Sequence, residues 1–366
     1  LVSNGNFSQI GTEEVSNGDF SQIGAEEVSN GNFSQEGSEL ITNGDFATDS
    51  DWTLTQATIS NGSASFATTD GSFAGIRQTV FSVGKTYLIS LDVSNLVGTI
   101  EVNTNGGGSI GLDITTDGTK SFYMKAESVD IEIKRKFGAE QVISATIDNV
   151  SVKEVGQDWS LIGTATITEN QANIVTTSAV TGISQTNILT VGKNYKLSYN
   201  IVSNNNGGLK ISGNEIPSIV GDNTYYFTAS VAALEILRNS GVTDITITNI
   251  SVKEVGQDWV FSSQSEIIED AAKVVSTDGS FQYVQQSNFL TIGKTYKLTL
   301  NVLDVSAGSL KIGSSGGGFD IANNFNTLGV STFYFTANGD DLSFSRVGVT
   351  DVTITNISVK EVGQDW

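Results

Sequence analysis

Three arginines have the residue type and the spacing best suited to chemistry. Arg135, Arg238 and Arg346 each end the same pattern, in which an alanine is followed by two apolar residues at alternate positions and then by the arginine. Alternate residues of a strand share a face, so each arginine shares a face with its apolar pair. Its planar donor fork could bind sugar hydroxyls or a carboxylate. It could also form a structural ion pair, with Asp244 or Asp351 as the partner.

Other kinds of catalytic site are scarce in this chain. It has no histidine and no cysteine, which removes the usual general base, the thiol nucleophile and the commonest zinc ligands. Gly84–Thr86 reads Gly-Lys-Thr but lacks the first glycine of a phosphate-binding loop. Glu13 and Glu14 are adjacent, and neighbours on a strand point to opposite faces, so they make a poor acid–base pair. We therefore expect no enzymatic activity.

The charge of the chain excludes further classes of function. The 366 residues include 40 acidic and 19 basic side chains, a net charge of −21. Binding to nucleic acid needs basic patches that neutralise phosphates, so we expect no nucleic-acid partner. We also find no run of roughly 18 apolar residues that could cross a membrane as a helix, and we expect no membrane insertion.

The elements that must position these residues are repeated. Each tryptophan follows an aspartate, and the last three Asp-Trp pairs end the octapeptide V-K-E-V-G-Q-D-W. The motif recurs about every hundred residues, which is a common domain size. A tryptophan at a fixed structural position is more typical of a core residue with a bonded indole N–H than of a sugar-stacking platform. The tryptophans are Trp52, Trp159, Trp259 and Trp366.

A shorter repeat of thirteen residues opens the chain. Its unit reads E-E-V-S-N-G-N/D-F-S-Q-I-G, and its fourth copy, Leu40–Phe46, is also the start of the first large repeat. The short units therefore look like duplications of an opening strand. Their apolar positions are Val2, Val15, Val28 and Ile41, followed by Phe7, Phe20, Phe33 and Phe46.

The apolar pattern of the large repeats is that of antiparallel β-structure. Tyr296–Val302 and Tyr195–Ile201 alternate apolar and polar residues, which is the period of a half-buried strand. In each closing strand the apolar residues switch once from one set of alternate positions to the other. One extra residue in the strand would cause this switch, which predicts a β-bulge. The bulges are predicted at Asp148-Asn149, Thr248-Asn249 and Thr355-Asn356.

These patterns predict an all-β chain of tandem antiparallel jelly-roll β-sandwiches, preceded by the short β-repeats and arranged as a stiff rod. Three modules in line would span on the order of 100 Å. We expect a β-repeat oligomerisation segment at residues 1–39, and jelly-roll modules at 40–156, 157–256 and 257–366. The last of these ends in the start of a further module, so the sequence reads as a piece of a longer polypeptide.

The oligomerisation segment is expected because each short unit has too few apolar residues to form a core. Chains this short of core usually need a partner. We consider two alternatives: association of three chains that bury Val and Phe along a shared axis, which we favour, and a meander packed on the first module.

Two groups of proteins resemble this sequence. The opening N-G-D-F (Asn43–Phe46) and the closing D-N-V-S-V (Asp148–Val152) resemble carbohydrate-binding jelly rolls appended to xylanases and related glycosidases. The repeated V-K-E-V-G-Q-D-W junctions resemble tandem modules in tail fibres and other virion proteins of bacteriophages. The resemblance covers residues 40–366.

The resemblance implies a structural fibre that spaces or presents a region binding a host receptor. It would be an extracellular part of a virion, homotrimeric and with a cell-surface glycan as a candidate ligand. The alternative is an array of glycan-binding modules in a bacterial surface adhesin or extracellular filament. Exposed aromatic residues on a concave face, with Phe281, Tyr283 and Phe289 as candidates, would favour that alternative.

The resemblance also implies one metal ion. In the glycosidase-linked modules a structural Ca²⁺ often ties the first strand to the last. The matching positions are Asp45 and Asp148 in module 1, whereas Thr248 and Thr355 replace the second aspartate in the other modules. We therefore expect calcium in module 1 only, or else an aspartate that stabilises the bulge, and no other cofactor.

Overall fold

The computed structural model describes residues 9–104, 112–139, 141–314 and 318–363. The secondary structure of these residues consists of 31 β-strands with turns between them. Within the same ranges, no helix has the length and apolar character needed to cross a membrane. The prediction of an all-β chain is confirmed.

Module 1 is a sandwich of two antiparallel sheets. The first has the order β10-β9-β12-β7-β4 and the second the order β11-β8-β13-β6-β5. Strands β6 to β9 alternate between the two sheets, as expected of a jelly roll. The strands are β4 (Thr53–Thr55), β5 (Ala57–Ser60), β6 (Ser63–Thr68), β7 (Gly75–Thr79), β8 (Thr86–Val97), β9 (Ile100–Thr104), β10 (Leu112–Ile114), β11 (Gly118–Lys125), β12 (Asp130–Arg135) and β13 (Ile143–Val155).

Module 2 repeats this arrangement with sheets β14-β17-β22-β19-β20 and β15-β16-β23-β18-β21. Its strands are β14 (Ser160–Ile162), β15 (Thr166–Thr168), β16 (Gln171–Thr176), β17 (Gly182–Gln185), β18 (Asn194–Asn206), β19 (Leu209–Ile211), β20 (Asn214–Ile216), β21 (Gly221–Thr228), β22 (Leu234–Arg238) and β23 (Thr243–Val255).

Module 3 differs in having two long strands, β28 and β31, that pair with each other from Thr295–Val362 at one end to Gly313–Ser343 at the other. Because they run through both faces of the sandwich, its strands join into one sheet. The strands are β24 (Val260–Phe261), β25 (Glu266–Ile268), β26 (Ala271–Ser276), β27 (Tyr283–Gln286), β28 (Thr295–Gly313), β29 (Asp320–Phe325), β30 (Gly329–Thr336) and β31 (Leu342–Val362).

Each module has its own hydrophobic core. In β18 the alternate residues Tyr195, Leu197, Tyr199 and Ile201 are buried between the sheets, as the alternation predicted. The bulges are also confirmed, because the pairing register shifts between Asp148 and Ser151 and at the equivalent places of modules 2 and 3. The residues that absorb the shift have a left-handed backbone: Asn149 (φ 49°), Asn249 (φ 53°) and Asn356 (φ 52°).

The short repeats do not form a unit of their own. Three strands, β1 (Ile10–Glu13), β2 (Ile23–Glu26) and β3 (Glu36–Glu39), each join the sheet of a different module. Strand β1 pairs with β31 of module 3, β2 with β23 of module 2 and β3 with β13 of module 1. The repeats are therefore used in reverse order: the one nearest module 1 completes module 1, and earlier ones complete later modules.

This finding corrects the expectation of a separate segment at residues 1–39. Each unit does lack a core of its own, but the core is supplied by modules of the same chain, up to 346 residues away. The alternative of a meander packed on the first module is also wrong, since β1 and β2 lie on modules 3 and 2. The homotrimer stays a prediction, but it can no longer rest on the Val and Phe side chains of the described units.

Candidate functional site

The most elaborate site in the described chain is the groove of each module that receives a short repeat. We call the segment from the valine or isoleucine to the phenylalanine of a repeat the cap: Val15–Phe20 in module 3, Val28–Phe33 in module 2 and Ile41–Phe46 in module 1. In module 2, Val28 is 7% exposed and Phe33 is 1% exposed. Both belong to the module core, so the cap completes the core as well as the sheet.

The cap phenylalanine packs against the tryptophan of the Asp-Trp pair. The centroids of Phe33 and Trp159 lie 5.3 Å apart at an interplanar angle of 43°. Phe46 and Trp52 are also 5.3 Å apart, and Phe20 and Trp259 are 5.2 Å apart. Tilted aromatic pairs at this distance are favourable beyond the area that they bury.

The same tryptophans hold the cap backbone. The indole Nε1–H of Trp159 donates to the carbonyl oxygen of Asn30 at 3.0 Å. Trp52 donates to Asn43 and Trp259 to Asn17, each at 3.0 Å. The expectation that these tryptophans are structural is therefore confirmed for the three described residues, while Trp366 lies outside the described residues.

A glutamine clamp fixes the residue that follows the valine or isoleucine of the cap. The side-chain amide of Gln185 accepts from the backbone N–H of Ser29 at 3.1 Å and donates to its carbonyl oxygen at 2.6 Å. Such paired bonds imitate one step of a strand ladder. Gln78 makes the two bonds to Thr42, and Gln286 makes them to Ser16.

The turn of the cap is tight and needs glycine. The amide of Phe33 donates to the carbonyl of Asn30 at 3.0 Å, and both residues have a left-handed backbone (φ 56° and 48°). Gly31 lies so close to the closing strand that a Cβ atom there would be 1.9 Å from the carbonyl oxygen of Ile250. The amide of Ile250 in turn donates to Gly31 at 2.9 Å. No side chain fits at this position without displacing a strand.

A glutamate precedes each cap and binds the closing strand. Glu39 Oε1 accepts from the amide of Val152 at 2.8 Å, and Oε2 accepts from Ser151 Oγ at 2.6 Å. Partial burial raises the pKa of Glu39, but these bonds and those from the amides of Ile41 and Leu40 outweigh it, so the pKa lies below its usual value. Glu26 and Glu13 make the equivalent bonds in modules 2 and 3.

The predicted arginines lie away from the grooves, at a loop that links the two sheets. Arg135 Nε donates to the carbonyl of Ser72 at 3.2 Å, and Arg346 Nε donates to that of Ser280 at 2.9 Å. Arg238 donates from its terminal nitrogens to the carbonyls of Ser178 and Gly241. The three arginines thus hold equivalent loops.

The proposed aspartate partners of these arginines are used elsewhere. Asp351 pairs with Lys273 at 3.1 Å, and Asp244 accepts from Asn205 Nδ2 at 3.1 Å. The arginines therefore have a structural role, as the alternative predicted, but the contacts that tie them to these loops are hydrogen bonds to backbone carbonyls. A ligand-binding role of Arg135, Arg238 and Arg346 stays a prediction.

The predicted calcium residues each serve a local turn. Asp45 Oδ1 accepts from the amide of Ala47 at 3.3 Å, and Asp148 Oδ1 accepts from the amide of Asn149 at 2.7 Å. Calcium takes six to eight oxygen ligands, and two carboxylates fall well short of that number. No group of three or more acidic, histidine or cysteine side chains suited to a metal occurs in the described ranges. Calcium in module 1 therefore stays a prediction that these donors alone do not support.

Consecutive modules contact each other through one repeated interface. Strand β11 of module 1 lies against β15 of module 2, and β21 of module 2 lies against β25 of module 3. At the first junction, Lys125 Nζ donates to the carbonyls of Gly163 and Ala165 at 2.7 and 3.0 Å, and burial lowers the pKa of this lysine. A cleft of about 320 Å³ lies beside it.

Sequence reasoning missed the caps as a binding site, although two signals were present. The chain has four short units and four Asp-Trp pairs, and each described unit has a phenylalanine for one tryptophan. The clamp residues also recur at equivalent strand positions, as Gln78, Gln185 and Gln286. Neither signal states which unit belongs to which module, since the units are nearly identical.

Comparisons with known proteins give similarity only to solved structures. No protein-family model matches the chain, and no curated protein sequence matches it. A CBM4 structure is 15% identical over 35% of this chain and 99% of its own, with a TM-score of 0.21. A structure of Sulfolobus Turreted Icosahedral Virus is 18% identical over 86% of this chain and 90% of its own, with a TM-score of 0.23.

A third similar structure is the N-terminal CBM22-1–CBM22-2 tandem domain of Paenibacillus barcinonensis Xyn10C. It is 8% identical over 89% of this chain and 98% of its own, with a TM-score of 0.23. At these identities and TM-scores, the similarities carry no argument about what this chain binds or assembles with.

Proposed function

We propose that this chain is a structural segment of an extracellular fibre, in which stacked jelly-roll modules space or present a receptor-binding region. The observation that carries the proposal is the reverse-order capping of three modules by one N-terminal strap. Residues 10–46 run past all three modules and contribute a strand and a cap to each of them. We call residues 10–46 the strap. Because the strap is bound to all three modules, it resists motion of one module relative to the next.

The order of the inter-module contacts supports the same proposal. Module 1 contacts module 2, and module 2 contacts module 3, through equivalent strands, as expected of modules stacked in line. A high negative charge keeps an extended assembly soluble.

The setting that we propose is a virion, with the chain as part of a bacteriophage tail fibre or a related virion fibre and with three chains per fibre. The motifs at the module junctions support this setting. We also propose that the chain has no enzymatic activity, because the described residues offer structural roles for the arginines and tryptophans that could have formed a site.

Light scattering of residues 1–366 tests the oligomeric state. A mass three times 38.6 kDa is expected, and a monomer at micromolar concentration would contradict the trimer. Electron microscopy of the same sample tests the elongated shape, for which a length on the order of 100 Å is expected. A compact particle would contradict the fibre proposal even if the chain were trimeric.

A second candidate function is glycan binding by module 3. The ring of Phe281 is 56% exposed and lies 5.5 Å from the ring of Tyr283. The two rings lie beside the loop that Arg346 holds through Ser280. Exposed aromatic faces near polar donors are suited to sugar rings. A glycan array probed with the native chain and with Phe281→Ala tests this role: binding that the substitution abolishes would favour it over the purely structural function.

A further inference from the structure

One tyrosine occupies the same place in all three modules but has different surroundings in the last. Tyr123 of β11, Tyr226 of β21 and Tyr334 of β30 each stand second in the aromatic run that ends in alanine. Tyr123 packs against the core of module 2, and Tyr226 packs against the core of module 3. Tyr334 is 67% exposed. The residue that joins one module to the next therefore has no such neighbour at module 3 within the described residues.

The face around Tyr334 is suited to burial. Strand β30 alternates strictly, and its outward residues are Val330, Thr332, Tyr334 and Thr336. Val330 is 76% exposed. The strip has no charged side chain, although the chain as a whole has a net charge of −21. Lys297 on β28, the register partner of Tyr334, is the charged residue beside the strip. Exposed Val330 and Tyr334 side by side on one strand are suited to burial by another protein surface.

We propose that the outer face of β30 docks a further jelly-roll module of this same kind, which opens with an Asp-Trp pair and is capped by the first thirteen-residue unit. The docking surface continues an established interface. In the two described junctions, the strand equivalent to β30 lies against the second strand of the following module, β15 or β25. The further module would place its own second strand across Tyr334.

The repeat units provide a second, independent observation. The first unit contains Val2, Asn4, Gly5 and Phe7, which are the residue types that seat the other caps. The grooves of modules 1, 2 and 3 are already filled by the other three units. Because the units are used in reverse order, the first unit would cap a module that follows module 3. Residues 1–8 and 364–366 lie outside the described residues, so this step rests on their sequence.

The same observation argues against a second copy of the chain as the occupant. Module 1 of a second copy could offer β5, the equivalent of β15, to the face of β30. Its groove is filled by its own cap, however, since Phe46 is 1% exposed. Docking of a second copy would therefore leave the first unit without a groove, whereas a further module satisfies both the face and the unit. The inference does not depend on the viral setting.

The test extends residues 1–366 beyond Trp366 with a copy of residues 260–363, which supplies a fourth module. Hydrogen exchange of the amides in residues 2–7 is compared between the extended and the original chain, together with the chemical accessibility of the Tyr334 ring. At least a tenfold slowing of exchange and a loss of Tyr334 labelling are expected. Phe7→Ala in the extended chain should reverse the slowing, and Phe137→Ala, at an 88% exposed position, should not.

A second extension with a copy of residues 160–256 guards against failure of the first to fold. Slowed exchange with Tyr334 protection in either extension supports the proposal. Unchanged exchange and labelling in both overturn it. Protection of Tyr334 in the original chain that grows with concentration would assign the face to a second copy and would also overturn it.

Discussion

At the scale of single residues, the cap is held by a phenylalanine, a glycine, a glutamine clamp and a glutamate. Phe33 is the largest apolar side chain that the cap gives to module 2, and it fills a space between Trp159 and the sheet. Its removal would leave a cavity lined by a tryptophan whose indole N–H still binds the cap.

We expect Phe33→Ala to destabilise module 2 by about 3–5 kcal/mol, because truncation of a fully buried phenylalanine loses its transfer energy and leaves a cavity. Hydrogen exchange of the Ile250 amide, which the cap protects, measures the local free energy of opening. Phe137→Ala is the control, since Phe137 is 88% exposed. Equal protection in the two variants would show that the cap does not stabilise module 2.

Glu39 makes the stability of module 1 depend on pH. Its pKa lies below the ordinary value of 4.5 in the folded chain, so the ionised form stabilises the fold at neutral pH. This contribution is lost as the pH falls from about 4.5 through the lowered pKa. We expect Glu39→Gln to lower the melting temperature at pH 7, with a difference from the native chain that narrows progressively below pH 4.5.

Glu36→Gln is the control for this pH effect. Glu36 lies on the same strand and pairs with Lys153 at 3.2 Å, but both side chains are well exposed, so its loss should have little effect. A difference for Glu39→Gln that stays constant from pH 7 to pH 3 would contradict the role of its ionised carboxylate.

At the scale of elements, the cap turn and the closing strand approach each other too closely for any side chain. The contact is made by backbone atoms, which cannot rotate away. The bulge in the closing strand immediately precedes this contact, with Asn249 in a left-handed backbone and Ile250 bonded to Gly31. The bulge therefore turns the strand so that its amide meets the cap.

We expect Gly31→Ala to displace the cap of module 2 and to remove the protection of the Ile250 amide, because the new Cβ would lie 1.9 Å from a carbonyl oxygen. Gly208→Ala in the same module is the matched control. Its Cβ would meet the flexible Glu215 side chain at 3.2 Å and the Cβ of Asn239 at an ordinary contact distance of 3.9 Å, and its backbone is not left-handed. Hydrogen exchange of the Ile250 amide should be fast in Gly31→Ala and slow in Gly208→Ala. Similar exchange in both variants would contradict the close approach of Gly31 to the closing strand.

At the scale of the whole molecule, near-identical units must seat in a fixed order. Their contacts are so alike that sequence chemistry alone would let any cap occupy any groove. The order follows from chain connectivity, because the cap next to module 1 reaches its groove without crossing another module. The earlier units then occupy the remaining grooves in turn.

If connectivity sets the order, the register of residues 10–46 on the three modules can slip by one unit. Deletion of residues 10–22 brings the first unit to the place of the second, so module 3 should keep a cap and the Ile357 amide, which now bonds to Gly18, should stay protected. Deletion of residues 10–35 removes two units and should leave that amide unprotected. The smaller deletion also removes β1 and Glu13, so Glu13→Gln in the undeleted chain is the control for the loss of that contact. Loss of Ile357 protection in the smaller deletion but not in the Glu13→Gln chain would contradict the slip.

Local sequence patterns account for much of this fold. They predicted the all-β class, the three modules, the bulges at Asn149, Asn249 and Asn356, and the structural role of the tryptophans, because each of these depends on local periodicity or on a repeated landmark.

The positions of the short repeats and the hydrogen-bond partners of the arginines became clear only in three dimensions. The pairing of Glu13 with a strand 346 residues later leaves no trace in local pattern, and the four units carry almost the same side chains. Likewise, the sequence could place Arg238 on a face of its strand. It could not show that Arg238 would donate to a loop carbonyl instead of pairing with Asp244. Long-range pairing depends on chain connectivity and on competing partners in space, and neither can be read from the order of residues alone.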